Sequence, residues 1–145
     1  FDEGTTLAGV LTRSRCASAP EEWVKDRLGA GTARALLVNS GNANAFTGKH
    51  GDGSVDAICD AIAAVTKVDK NRIFTSATGV IGEPLPFDKI TFQVSNLAAG
   101  QDQGGIDAAA NAIMTTDTFA KGAGTTVTID DRPYRQNLQQ HHRRQ

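Results

Sequence analysis

A threonine followed by a glycine, at positions 78 and 79, is the pair in this chain best suited to catalysis. The pair comes after the segment Arg72–Ser76, which has the pattern of a strand. Acyl transfer passes through a tetrahedral oxyanion, which must be stabilised by hydrogen-bond donors already in place. The hydroxyl of Thr78 and the amide of Gly79 can supply two such donors, and glycine lets the backbone approach a substrate closely. On local sequence alone, a plain turn between strand and loop is the commoner fate of such a pair.

A cluster of hydroxyl side chains at Thr115, Thr116 and Thr118 is the second candidate site. It follows a helical pattern of small and apolar residues that ends near Ile113. Clustered hydroxyls can bind the amino-acid part of a substrate. Helix capping and turn formation explain them equally well on local grounds.

Three carboxylates, Asp52, Asp56 and Asp117, are candidate acids or bases. No nucleophile in the sequence pattern is paired with them. We therefore expect solvated carboxylates or helix caps rather than a catalytic pair.

The asparagine-rich segment Asn39–Gly48 follows the apolar run Ala35–Val38, which predicts a buried strand that ends in a polar loop. Asparagine and glycine tolerate positive φ, and asparagine side chains bond to nearby backbone groups. We expect the amides of Asn39, Asn42 and Asn44 to shape this loop. Direct contact with substrate is the weaker alternative.

The same segment contains Gly48 and Lys49 between a predicted strand and a predicted helix, as in a phosphate-binding loop. That motif also needs a glycine where this chain has Ala43, and a serine or threonine where it has His50. Histidine cannot replace the hydroxyl that binds magnesium. Nucleotide binding is therefore not supported, and Lys49 is interpreted as a solvated charge.

Strand and helix patterns alternate along the chain, which predicts an α/β fold. Ser18 and Glu21 have the spacing of a capping box at the start of the first helix. The predicted strands are 7–12, 34–38, 72–76 and 125–129, and the predicted helices are 18–28, 52–65, 88–99 and 106–113. Asp130 and Asp131 are typical of a hairpin turn.

Composition restricts the class of protein. The chain has 145 residues, 39% of them apolar and 21% charged, with a net charge of -1, which is ordinary for a globular domain and favours neither nucleic acid nor a membrane as partner. Cys16 and Cys59 form no metal motif and are expected to be free thiols of a cytoplasmic protein. No signal peptide or membrane-spanning run is visible in these residues.

Three segments together, Asn39–Gly48, Ser76–Gly82 and Ala112–Thr118, resemble the ornithine acetyltransferase family, the bifunctional glutamate N-acetyltransferases of arginine biosynthesis. The resemblance extends from Thr5 to Tyr134, roughly nine-tenths of the chain. It implies that family's α/β fold, a sheet with packed helices, incomplete at both ends. We expect an α-chain-like domain over residues 1–135 and a polar, disordered tail over 136–145.

The resemblance also implies a function. The family moves an acetyl group from N-acetylornithine to glutamate through an acetyl-threonine, and its bifunctional members also accept acetyl-CoA. Thr78 and Gly79 match the family's oxyanion hole. The resemblance therefore favours an oxyanion hole over the plain turn that local sequence favours. Thr115, and after it Thr116, matches a threonine that contacts substrate. No metal or other cofactor is implied.

One part of the family's pattern is missing from these residues. The family's precursor cuts itself before a threonine, and the freed threonine of the β chain is the nucleophile of a heterotetramer. Lys121–Gly124 is only superficially similar to the cleavage segment. The expectation is therefore part of an acetyltransferase that is inactive alone and needs a β chain. The alternative is a non-catalytic truncated remnant or an interaction domain of the same fold.

Overall fold

The first hundred residues alternate helices with strands, as the sequence predicts. The computed structural model describes residues 1–102 and 104–139. These divide into two units, residues 1–101 and the residues from 102 onward. The first unit contains α1 (Ala19–Arg27), β1 (Ala35–Asn42), α2 (Gly48–Thr66), β2 (Ile73–Val80) and α3 (Phe87–Ala99), with short 3-10 helices at Leu28–Ala30 and Lys70–Arg72.

Strands β1 and β2 lie side by side and run parallel. Parallel neighbours need a long crossover connection, which α2 supplies. The register pairs Ala35 with Ile73 and Ser40 with Thr78. It brings the carboxyl ends of both strands, with the loops that follow them, to the same edge.

The core lies where α2 packs against β2 and α3. Its buried side chains are those of Val55, Ile58, Cys59, Ile62, Ile73, Leu85 and Val94. Helical spacing correctly predicts the first, second and fourth of these, but Val65 is 40% exposed. At 100° per residue Val65 lies about 80° around the helix from Val55, at the margin of the apolar stripe.

The predicted strand over residues 7–12 is wrong. Within the described residues that part of the chain forms one isolated antiparallel bridge, between Thr6 and Thr32. The segment is held differently, because the Thr12 amide donates to Glu21 Oε1 at 2.7 Å. The capping box is wrong for the same reason: Glu21 is engaged by Thr12, and the Ser18 side chain makes no capping hydrogen bond to α1.

Helix α2 begins at Gly48, four residues before the predicted start at Asp52. Strand β2 continues to Val80, beyond the predicted end at Ser76. Both differences lengthen elements toward the same edge of the sheet. The Thr78–Gly79 pair therefore belongs to the end of a strand rather than to a free loop.

The second unit contains α4 (Ile106–Ala112), β3 (Gly122–Ile129) and β4 (Arg132–Gln139). Strands β3 and β4 form an antiparallel hairpin. Asp130 and Asp131, both at positive φ (48° and 60°), form its turn, which confirms the predicted hairpin. Because β4 continues to Gln139, the predicted tail boundary at residue 136 falls inside a strand. Residues 140–145 lie outside the described residues.

Among the described helices, none combines the length and apolar character that spanning a bilayer requires.

Gly79 is placed where the backbones of β1 and β2 approach each other closely. Its φ is +129°, and a Cβ added there would clash with the carbonyl of Gly41 and lie 2.6 Å from Asn42 N. All of these neighbours are backbone atoms, so no side-chain rotation can relieve the clash. The end of this strand pair therefore requires glycine at position 79.

We predict that Gly79→Ala lowers the free energy of unfolding by about 2–3 kcal/mol, because it adds both backbone strain and a steric clash. Thermal or denaturant unfolding of the 145-residue chain measures the effect. Gly53→Ala is the matched control, since Gly53 lies inside α2 with open space around it. That variant should gain up to about 1 kcal/mol. Equal stability of the two variants would show that the close approach at Gly79 is not structurally required.

Candidate functional site

The loop between β1 and α2, residues 43–47, lies at the carboxyl edge of the sheet and is held by side-chain hydrogen bonds. Asn39 Nδ2 donates to Asn42 O at 2.7 Å, and Asn42 Oδ1 accepts from the backbone N–H of Asn44 at 2.7 Å. Asn42 Nδ2 reaches Glu83 O at 3.0 Å. All three asparagines thus bond to the backbone, in agreement with the predicted loop-shaping role.

Asn44 is the centre of this network. Its side chain is fully buried, at 0% exposure. Its Nδ2 donates to Gly51 O at 3.2 Å and to Ser54 Oγ at 2.9 Å, and its Oδ1 accepts from Thr47 Oγ1 at 2.9 Å. An unbonded buried amide would cost about 1–3 kcal/mol, so these partners are what make its burial tolerable.

The network also ties the loop to helices α1 and α2. Asn44 O accepts from the Ala19 amide at 3.1 Å, at the start of α1. A Cβ added to Gly51 would clash with Thr47 Oγ1 and lie 3.1 Å from Asn44 Oδ1. The small residue at position 51 therefore lets α2 pack directly against the loop.

Backbone hydrogen bonds connect the loop to the residues that follow Gly79. Ala43 N donates to Val80 O and Gly82 N donates to Ala45 O, each at 2.8 Å. The strand pairing ends in a bulge at Asn42, which is paired with both Thr78 and Val80 of β2. Loop and turn consequently form one connected piece of backbone.

Thr78 and Gly79 lie within the last three residues of β2, beside Ser40 and Gly41 of β1. Thr78 is half-buried and Gly79 is exposed. In parallel α/β sheets, ligands bind at the carboxyl ends of the strands. The pair that the sequence predicts to be catalytic therefore lies at the edge where folds of this kind bind ligands.

A groove of about 420 Å³ lies along this edge. Its walls include Asn39–Asn42 and Val80, together with the oppositely charged residues Glu83 and Lys89. Thr78 and Gly79 do not line this groove. They lie beside it, on the strand that ends at Val80.

The threonine cluster belongs to the second unit. Thr115 and Thr116 lie in an exposed bend that follows α4, and Thr118 is also exposed. All three threonines are therefore exposed. The predicted placement after a helix is confirmed, whereas a substrate contact stays a prediction.

Two of the three candidate carboxylates are ion-paired with lysines. Asp117 Oδ1 accepts from Lys121 Nζ at 2.6 Å, and its side chain is only 15% exposed. It is therefore an ion-paired group rather than a solvated one, which corrects the sequence interpretation. Asp56 Oδ1 bonds to Lys70 Nζ at 2.8 Å, and Asp52 is exposed on the second turn of α2.

Lys70 shows how such pairs act. Its burial lowers the pKa of the ammonium, but the hydrogen bonds that it donates to Asp56 and Asp60 outweigh this and leave the pKa raised. Lys70 consequently stays charged as an ion-pair partner and is not a base.

The buried cysteine is not a nucleophile. Cys59 is 0% exposed, and burial raises the pKa of its thiol to about 12. The thiolate is the reactive form, so this thiol is inert at neutral pH. Cys16 is exposed, and no group of three metal-binding side chains occurs in the part of the chain that the structure describes.

Lys49 is exposed on the first turn of α2, as its interpretation as a solvated charge requires. The hydroxyl of Thr47 is occupied by Asn44, and His50 Nε2 lies 3.3 Å from Leu85 O. The segment that resembles a phosphate loop therefore serves the asparagine network.

Sequence reasoning singled out Thr78 and Gly79 but did not single out Asn44 among its neighbours. The residue type gives a partial indication of this position, since asparagine is enriched at positive φ and Asn44 has a φ of 49°. Its burial depends on Ser54 and Gly51, which belong to a helix that the sequence predicted to begin later.

Comparison with known proteins identifies the family. The family model described as "ArgJ family" matches residues 1–137. The chain is 49% identical over 132 residues to "Arginine biosynthesis bifunctional protein ArgJ" of Ruegeria pomeroyi, covering 90% of this chain and 32% of that protein. It is 50% identical over 129 residues to the protein of the same name from Bradyrhizobium diazoefficiens, covering 89% and 31%. The chain thus spans about a third of the length of these curated relatives.

Two solved structures agree. The Mycobacterium tuberculosis ornithine acetyltransferase, complexed with ornithine, matches with a TM-score of 0.83 and 31% identity over 97% of this chain and 76% of that chain. The bifunctional ArgJ of Bacillus halodurans matches with a TM-score of 0.82 and 29% identity over 92% and 70%. Fold, motifs and sequence relatives converge, and the chain belongs to the ArgJ family.

Proposed function

We propose that this chain is the α-chain portion of an ornithine acetyltransferase and supplies its oxyanion hole. The reaction moves an acetyl group from N-acetylornithine to glutamate, and in bifunctional members also from acetyl-CoA to glutamate. One observation carries the proposal: an ArgJ-family chain has Thr78 and Gly79 together at the carboxyl end of a parallel strand pair. The solved relative bound to ornithine supports a substrate of the ornithine type.

The proposed chemistry has two half-reactions. A threonine hydroxyl from outside these 145 residues attacks the acetyl carbon, the bond to the ornithine nitrogen breaks, and the hydroxyl proton goes to the leaving amine. The amine of glutamate then attacks the carbonyl carbon of the acetyl-threonine, the ester bond to the threonine oxygen breaks, and a proton from the amine returns to that oxygen as the threonine hydroxyl. Each step passes through a tetrahedral oxyanion.

Thr78 and Gly79 are assigned to that oxyanion. The hydroxyl and the amide are adjacent along the chain, and a clash with Gly41 and Asn42 prevents any side chain at position 79. Rigid placement matters because preorganised donors need no reorganisation when the charge develops.

Thr115, and after it Thr116, is proposed to contact the amino-acid part of the substrate. Their exposure after α4 leaves the hydroxyls accessible. A hydroxyl can both donate to a carboxylate and accept from an ammonium group. No metal or cofactor is assigned a part in the reaction.

The partner is proposed to be the β chain of the same precursor, produced by autocatalytic cleavage and assembled into a heterotetramer. The face of β1 that carries Leu36 and Val38 supports a partner, since these apolar side chains are 52% and 40% exposed. The described sheet has only two strands, so both have an open edge. The free thiols Cys16 and Cys59 are consistent with action in the cytoplasm, where thiols stay reduced.

A non-catalytic remnant or interaction domain is the second candidate, supported by the absence of a segment like the family's cleavage motif from these 145 residues. Co-purification discriminates the two. An enzyme portion should recruit a β chain whose first residue is threonine, and the assembled complex should transfer acetyl groups. Failure to recruit such a chain favours the remnant.

We predict that Thr78→Val in a complete family enzyme carrying these residues lowers kcat by about 10²–10³-fold, or about 3–4 kcal/mol, with little change in KM. Valine keeps the shape and removes the donor, and the oxyanion exists only in the transition state. Steady-state kinetics, after self-cleavage has been verified, measures the change. Turnover at the normal rate would return the pair to the role of a structural turn.

Thr115→Val in the same enzyme should mainly raise KM for the amino-acid substrate, because a substrate contact stabilises the ground state and transition state alike. Thr118→Val is the matched control from the same exposed cluster and should leave both constants near normal. A normal KM for Thr115→Val combined with a raised KM for Thr116→Val would move the contact to Thr116.

The purified 145-residue chain alone is expected to show no sustained turnover of N-acetylornithine and glutamate, because the nucleophilic threonine is assigned to the β chain. Product formation under multiple-turnover conditions is the measurement. Sustained transfer by the pure chain would require a nucleophile within these residues and would overturn the assignment.

A further inference from the structure

Two backbone hydrogen bonds join the loop to the turn that follows the candidate oxyanion donors, and they come from the residues on either side of Asn44. Ala43 N donates to Val80 O, and Ala45 O accepts from Gly82 N, both at 2.8 Å. The residue between the two contacts is fully buried. The position of Asn44 therefore sets the position of both contacts.

The loop has a conformation that its backbone would not adopt unaided. Asn44 and Phe46 have φ values of 49° and 58°, which cost free energy in residues with a side chain, most of all in an aromatic one. Phe46 is 66% exposed, so burial does not hold it in place. The bonds from the Asn44 amide to Gly51 and Ser54 of α2 supply the restraint.

We infer that Asn44 is a positioning residue for acetyl transfer, which sets the place of Thr78 and Gly79 by anchoring the loop beside them to helix α2. The inference rests on the proposed oxyanion hole. Asn44 acts through the backbone of residues 43 and 45, and it need not touch the substrate. Its effect should consequently appear in kcat rather than in KM.

The decisive variant is Asn44→Ser in a complete family enzyme carrying these residues. Serine is too short to span the distance to α2, and misplacement of catalytic groups by about 1 Å can cost about 10²-fold. We expect kcat per active site to fall about tenfold or more, with KM changed by less than about twofold. Active sites are counted from the burst of acetyl-enzyme. A lower melting temperature with unchanged kcat per active site would show a merely structural role and overturn the inference.

Ser54→Ala is the gentler variant, and it decides the question if Asn44→Ser does not fold. It removes one acceptor of the Asn44 amide, and alanine favours the helix in which Ser54 lies. We expect kcat to fall about two- to fivefold. An unchanged kcat per active site would overturn the inference. Asn71→Ser, at an exposed turn before the amino end of β2, is the matched control and should behave as the parent enzyme.

Combining Asn44→Ser with Thr78→Val separates the two proposals. If Asn44 acts through the oxyanion donors, its substitution should cost less in the Thr78→Val background than in the parent enzyme. Equal costs in both backgrounds would overturn the role of Asn44 and leave the oxyanion hole standing. Normal turnover by Thr78→Val alone would remove the oxyanion hole, and the inference about Asn44 with it.

Discussion

The burial of one primary amide, that of Asn44, is the constraint on which the carboxyl edge of the sheet depends. An amide without partners in this position would be costly, so every element around it must present a bonding group. Helix α2 presents Gly51 O and Ser54 Oγ, the loop presents Thr47 Oγ1, and α1 begins at a residue bonded to Asn44 O. Hydrogen bonds thereby join two helices, a strand end and a loop, in addition to the apolar contacts of the core.

Close backbone packing completes this arrangement. Gly79 lies against the carbonyl of Gly41, and Gly51 lies against the side chain of Thr47. Neither position has room for a Cβ. Small residues thus have two distinct uses here, since one allows two strands to converge at their ends and the other allows a helix to pack on a loop. The result is a rigid strand end, which is what preorganised hydrogen-bond donors need.

The two faces of β1 have different surroundings. Ala35 and Leu37 pack against the core, while Leu36 and Val38 are exposed. An apolar face of this kind on a two-stranded sheet is typical of a surface that another polypeptide covers. This connects the proposed β-chain partner to a specific strand.

Local sequence alone determined what depends on neighbouring residues. It predicted the α/β alternation, the apolar stripe of α2 from Val55 to Ile62, and the Asp130–Asp131 turn, because periodicity and turn chemistry are local properties. The family motifs likewise indicated Thr78 and Gly79. Tertiary structure alone decided the pairings: Glu21 bonds to Thr12 instead of capping α1, and Asn44 becomes buried. A side chain bonds to the groups that the fold brings within reach. The strand pairing that sets the positions of those groups is itself non-local.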